Sequence, residues 1–214
     1  MALDTFANLK ASIINWSKRN NLTDLLVEDF IRLAEVEMYA NPVKTLDIRG
    51  METRSQANVT TTSRFLALPD NFLEMRGLNL NLTVDGSEDN YVDLIYRTQE
   101  QLKVYEGPAV PAFFTVNSQI EMDVTPDQAY PLEMHYFEKP TPLSDSNTTN
   151  EVLTNNPNIY LFGSLWALHN YFRNEQEAAY YYDLFISAIR GEVKKDTRGR
   201  YGPAPVIRVE GVTP

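Results

Sequence analysis

The chain has 214 residues, 43% of them hydrophobic and 22% charged, and no cysteine. That length buries the core of one elaborate domain or two small ones, and the missing thiols exclude a disulfide scaffold, a thiolate zinc site, an iron–sulfur cluster and a cysteine nucleophile. Nineteen basic against 29 acidic residues leave a net charge of −10, the wrong sign for a surface that grips phosphate throughout.

The first segment, MALDTFANLK, lacks a basic stretch followed by an apolar run and does not read as a signal peptide. The longest apolar run, Ile159 to Leu168, is about half a membrane span. A soluble protein of a reducing compartment is the expectation, and the five Asn-x-Ser/Thr sequons read as chance.

In chain order, residues 4–17 read as a helix, with Asp4 or Thr5 at its cap and Phe6, Leu9, Ile13 and Trp16 on one face. A second helix is expected from about Glu28 to Tyr39, with Val27, Ile31, Ala34 and Met38 inward and Glu28, Asp29, Glu35 and Glu37 on other faces; Asn41-Pro42 ends it. The period then changes. Leu78, Leu80, Leu82 and Val84 alternate with polar residues as in a half-buried strand, Asp85-Gly86 is a turn, and Tyr91–Tyr96 returns. Thr98-Gln99-Glu100-Gln101 predicts a capping box and a short helix over 99–105. Strands follow at 113–116, 119–124 and 130–137, so residues 44–140 are expected to form an antiparallel β module.

Residues 141–156 read as a polar connector, and Asn156-Pro157 starts a helix that runs to Phe172 and is apolar on nearly every face. Gly163 in its middle points to a close helix–helix crossing. A last helix from Asn174 carries Ala178, Tyr182, Phe185 and Ile189 on its stripe and is expected to stop near Thr197. The fold class is α+β: a four-helix bundle built from residues 1–43 and 157–197, an inserted antiparallel β module at 44–140, and an extended arm at 198–214.

That arm, RGRYGPAPVIRVEGVTP, is of different composition: three Gly and three Pro, yet apolar at Val206, Ile207, Val209 and Val212. Residues 190–210 carry six basic and three acidic side chains, leaving −13 for the rest. Seventeen extended residues reach about 55 Å, enough to contact a molecule beyond their own domain, and β-augmentation of a partner's sheet is one mode open to them.

No catalytic signature is present. His135 and His169 belong to different segments and to no ligand-spaced motif, and there is no P-loop, dinucleotide fingerprint or nucleophile elbow. No catalytic, cofactor or metal residue is assigned. Glu28, Glu35, Glu37, Glu133 and Glu138 are nominees for paired-carboxylate hydrolysis, each more simply read as a solvated side chain. Tyr180-Tyr181-Tyr182 places a tyrosine off the core stripe, and Tyr180 and Tyr181 are candidate subunit contacts. Tyr91, Tyr96 and Tyr105 hint at a sugar-stacking surface.

Several ordered segments carry a resemblance: LKASIINWSKR, FIRLAEVEMY, IRGMETR, RFLALPDNFLEMRGLNL, GPAVPAFFTVNSQIEM, HYFEKPTPLS and NPNIYLFGSLWALHNYFRNEQEAAYYYDLF. Together they cover about residues 3–205, and the Leu68–Met75 run is the most specific. The chain resembles the head-to-tail adaptor proteins of short-tailed phages. The resemblance implies a structural virion protein without enzymatic activity: a twelve-fold ring stacked on the portal protein, its arm embracing portal subunits and its lower face receiving tail nozzle or fibre proteins. The arm's portal contacts would be Arg198, Arg200, Tyr201, Pro203, Val206, Ile207 and Arg208. DNA would pass through without specific binding, and no membrane or cofactor is implied. The alternatives are a tail-associated peptidoglycan hydrolase and a receptor- or glycan-binding tail module.

Overall fold

The structure is a computed structural model, describing residues 3–19, 21–83 and 88–201. The chain is α+β and divides into two compact units, one made of residues up to Arg49 with those from Thr141 onward, the other of Gly50–Pro140.

Among the described residues the first unit holds five α-helices: α1 (Phe6–Ser17), α2 (Asp24–Ala40), α3 (Glu151–Asn155), α4 (Pro157–Tyr171) and α5 (Glu175–Tyr201). Thr5 caps α1, its side chain accepting from Asn8 N–H. Thr23 does the same for α2 from Leu26 N–H, so α2 starts four residues before the periodicity suggested. α4 lies against α1, α2, α3 and α5, which is why it is apolar all round. The fifth helix, α3, falls in the expected connector and is capped by Asn150 accepting from Leu153 N–H. The crossing inferred at Gly163 is present: a Cβ there would lie 2.9 Å from Ala34 Cβ and 3.0 Å from the Phe185 ring.

The arm does not start at residue 198. α5 continues to Tyr201, placing Arg198, Arg200 and Tyr201 on the helix. One glycine, Gly199, costs a helix only about 1 kcal/mol, and the first proline that would break it is Pro203. Pro203, Val206, Ile207 and Arg208 lie outside the described residues.

The second unit contains β1 (Glu52–Asn58), β2 (Phe65–Ala67), β3 (Phe72–Asn81), β4 (Tyr91–Asp93), β5 (Ile95–Tyr96), β6 (Pro108–Ala109), β7 (Phe113–Val116), β8 (Gln119–Met122), β9 (Thr125–Pro126) and β10 (Pro131–Glu138). One sheet has the order β1-β10-β3-β4, a second β2-β8-β7-β5, and β6 pairs with β9. The core is made by facing pairs such as Leu80 with Leu132 and Leu78 with Met134, joined by Phe114, Ile120 and Met122 from the second sheet.

Three expectations change here. The module is not antiparallel throughout, since β5 pairs with β7 and β6 with β9 in parallel. The strand expected over 91–96 is two: Leu94 turns inward, its N–H donating to Leu78 O at 2.8 Å, and β5 departs for the other sheet. The helix expected over 99–105 is only a turn, with Thr98 O accepting from Gln101 and Leu102 N–H. With Val104 and Tyr105 exposed, the segment behind this capping box buries too little to sustain a helix. The Asp85-Gly86 turn lies outside the described residues.

Candidate functional site

α5 gathers the candidate contacts. Its start is set by Asn174, whose side chain accepts from Glu177 N–H at 3.4 Å, and Ala178, Phe185 and Ile189 are buried on its inner face. Of the three tyrosines, Tyr182 points inward, 5.6 Å from the Trp166 ring, its hydroxyl accepting from Asn41 Nδ2 at 2.7 Å. Tyr181 is half-buried and stacks on His169, with centroids 5.2 Å apart and planes 11° from parallel. Tyr180 meets the Tyr181 ring edge-on at 5.3 Å and is otherwise exposed. Of the two nominated tyrosines, Tyr180 therefore offers the freer ring.

His169 is a buried structural group. Its Nδ1 has no hydrogen-bond partner among the described residues. Burial holds its pKa below the ordinary value and Arg19 adds to this, while Glu177 opposes it.

Towards its C-terminal end α5 becomes basic. Lys195 pairs with Glu192 at 3.0 Å, and Asp196 binds Arg49 at 3.3 Å. Arg190, Lys194 and Arg198, at successive four-residue steps on one face, are exposed. They form no ion pair among the described residues. Of the three, only Arg198 lies in the last turn of α5, where a cation suits the negative end of a helix. On a protein of net charge −10 the three together make a basic ridge leading to where the chain continues into residues 202–214.

The nominated carboxylates are all committed to neighbours. Glu28 pairs with Lys10 at 2.9 Å, Glu37 accepts from Asn41 Nδ2, and Glu138 accepts from Asn71 Nδ2 at 2.9 Å. Glu133 accepts from Gln56 Nε2 at 3.2 Å and Arg54 Nη1 at 3.4 Å, and its other oxygen lies 2.9 Å from His135 Nε2. Burial pushes the Glu133 pKa up, yet Gln56, His135 and Arg54 together carry it below the usual range.

Glu35 is the residue the periodicity misplaced. It is buried, and its Oε1 accepts from Leu143 N–H at 2.9 Å and Tyr160 Oη at 3.0 Å. Asn150 Nδ2 in turn donates to Tyr160 Oη at 2.7 Å. Burial raises the Glu35 pKa, against the lowering effect of Leu143 N–H, Tyr160 and Arg32. Burial and the Glu35 charge likewise raise the Tyr160 phenol. The network clamps the 141–150 segment to α2 and α4. The signal in the sequence was position: Glu35 follows Ala34 and sits four residues after Ile31, beside the buried stripe.

The tyrosines considered for sugar stacking do not form one platform. Tyr91 lines a cleft with Asn81, Asp89 and Glu133, Tyr96 another with Phe72 and Phe114, and Tyr105 a third with Arg97 and Leu102. Among the described residues no His/Asp/Glu group is placed to hold a metal, and no helix is long and apolar enough to cross a membrane.

The SU10 adaptor protein family matches residues 4–209, almost the whole chain. The chain belongs to this family of phage head-to-tail adaptors. No curated protein matches it. Membership makes this adaptor a structural phage protein of the junction between head and tail, and the family implies association with a portal and an oligomeric ring.

Proposed function

We propose that this adaptor forms a ring below the portal, extends the DNA channel, and presents its far side to nozzle or fibre proteins. Its portal grip lies in the end of α5 and the residues after it. Arg198, Arg200 and Arg208 supply charge-assisted bonds to acidic groups, and Tyr201, Pro203, Val206 and Ile207 supply the apolar anchors. The single observation that carries this reading is the exposed Arg198 at the end of α5, where the helix leads directly into a Pro-punctuated, β-branched segment. The thirteen residues after Tyr201 reach at most about 45 Å, enough to lie across a neighbouring subunit. A ring of twelve such copies, with the acidic balance of each, would repel DNA phosphates and let the genome slide.

Deletion of residues 202–214 tests the grip. The truncated protein should keep its helical circular dichroism, because the deletion spares every described element, and should no longer co-sediment with portal rings. Undiminished co-sedimentation would refute the role of the segment.

A further inference from the structure

A ring built head to tail needs two different surfaces on each copy, one for each neighbour. Resting on the ring reading above, we propose that these are the outward faces of α2 and α5, which meet as an antiparallel helix pair between adjacent copies.

α2 is apolar on two sides. Val27, Ile31, Ala34 and Met38 are fully buried on one, while on the other Leu25, Leu33 and Val36 are 75%, 53% and 63% exposed. Asp29 and Arg32, also exposed, lie on the same outward stripe, as spacings of three, four, seven and eight residues require. An aliphatic stripe of this length in solvent is what an interface core needs. α5 supplies a counterpart. Opposite its buried Phe185 and Ile189 runs a second exposed stripe: Tyr180, Asp183, Ser187, Arg190 and Lys194.

The order of charges selects the partner and the direction. Read from its C-terminal end, the α2 face runs aliphatic (Val36, Leu33), positive (Arg32), negative (Asp29), aliphatic (Leu25). The α5 face, read from its N-terminal end, runs aromatic (Tyr180), negative (Asp183), positive (Arg190), with the aliphatic stem of Lys194 last. Laid antiparallel, Val36 meets Tyr180, Arg32 meets Asp183, and Asp29 meets Arg190. The longer α5 spacing is absorbed because helical side chains lean towards the N-terminus, which brings the Arg190 guanidinium back towards Ser187. Laid parallel, Asp29 would face Asp183, and like charges would oppose the contact. None of Asp29, Arg32, Asp183 and Arg190 has an ion pair within the chain among the described residues, so all four are available to a neighbour. A second copy of this chain fits both faces at once.

The absence of cysteine allows a direct test. A full-length chain carrying both Val36→Cys and Tyr180→Cys, assembled on portal rings and oxidised, should give a ladder of covalent multimers on a non-reducing gel. Either single variant should stay monomeric. Monomers from the double variant, when native mass measurement shows the ring formed, would overturn this contact and leave the ring reading intact. A dimer with nothing above it would mean a two-fold contact and overturn the head-to-tail pairing. No ring from the unaltered protein would remove both readings. In parallel, Arg32→Asp and Asp183→Arg should each lower the assembled fraction at least tenfold at low salt, and the two together in one chain should restore it. Folding is checked by circular dichroism, and folded variants without mutual rescue overturn the pairing.

Discussion

Glu35 shows what one buried carboxylate does to the pH response of a fold. Its pKa is raised by burial, so the native state holds this proton more tightly than the unfolded chain does. Stability from this group therefore falls as pH rises from the ordinary carboxyl value through the native one. Glu35→Gln keeps an oxygen for Leu143 N–H and Tyr160 and removes the titration. Urea midpoints measured across that range should decline less steeply with pH in the variant than in the parent. His169 acts in the opposite sense. Its lowered pKa means that the unfolded chain takes up the proton first as pH falls below the ordinary imidazole value, so acidification costs stability. His169→Phe preserves a ring for Tyr181 and should flatten that acid limb. At Gly163 the two local effects compete: alanine gains about 1 kcal/mol of helix propensity, but its Cβ would lie 2.9 Å from Ala34 Cβ. Overpacking costs about 1–3 kcal/mol, so Gly163→Ala should lower the melting temperature.

At the scale of elements, what the sequence reveals depends on how local the deciding force is. Phe6, Leu9 and Ile13 of α1 and the buried stripe of α2 are legible because burial recurs at the helical period, and β7 is legible because its apolar run is bounded by turn residues. Trp16, expected on the same face of α1, instead reaches the Phe162 ring at 6.4 Å and stays half exposed near the end of the helix. Thr23-Asp24 is a cap in plain view, but the spacing of apolar residues does not mark a helix's first turn, so periodicity alone places the start of α2 four residues late. Thr23→Ala should cost about 1 kcal/mol, visible as a lower urea midpoint. The Gly- and Pro-rich composition of residues 198–214 places the end of α5 near Thr197, four residues before the helix stops at Tyr201. Gly199 weakens a helix, whereas only proline removes a hydrogen-bond donor and clashes with the preceding turn. The candidate contacts divide in the same way: consecutive tyrosines on a helix put at least one off the core stripe, but only the structure sets Tyr181 against His169 and leaves Tyr180 exposed.

At the scale of the whole molecule, the chain passes from the helical unit into Gly50–Pro140 and back. Each unit has its own buried cluster, so heat unfolding is expected in two calorimetric transitions. Leu80→Ala, in the β core, should destabilise one transition by about 2–5 kcal/mol and leave the other in place; a single transition shifting as a whole would show that the units unfold together.

By itself the sequence determined the α+β class, the helical stretches at both ends, the strands between them, the acidic balance and the family, all of which follow from short-range spacing, composition or ordered segments. The tertiary structure alone decided that Glu35 is buried, that one expected strand divides at Leu94 between two sheets, that two strand pairs are parallel, and that the outer face of α2 is exposed among the described residues. Spacing reports which residues share a face; whether that face meets water, a carboxylate's donors or another element depends on groups a hundred residues away.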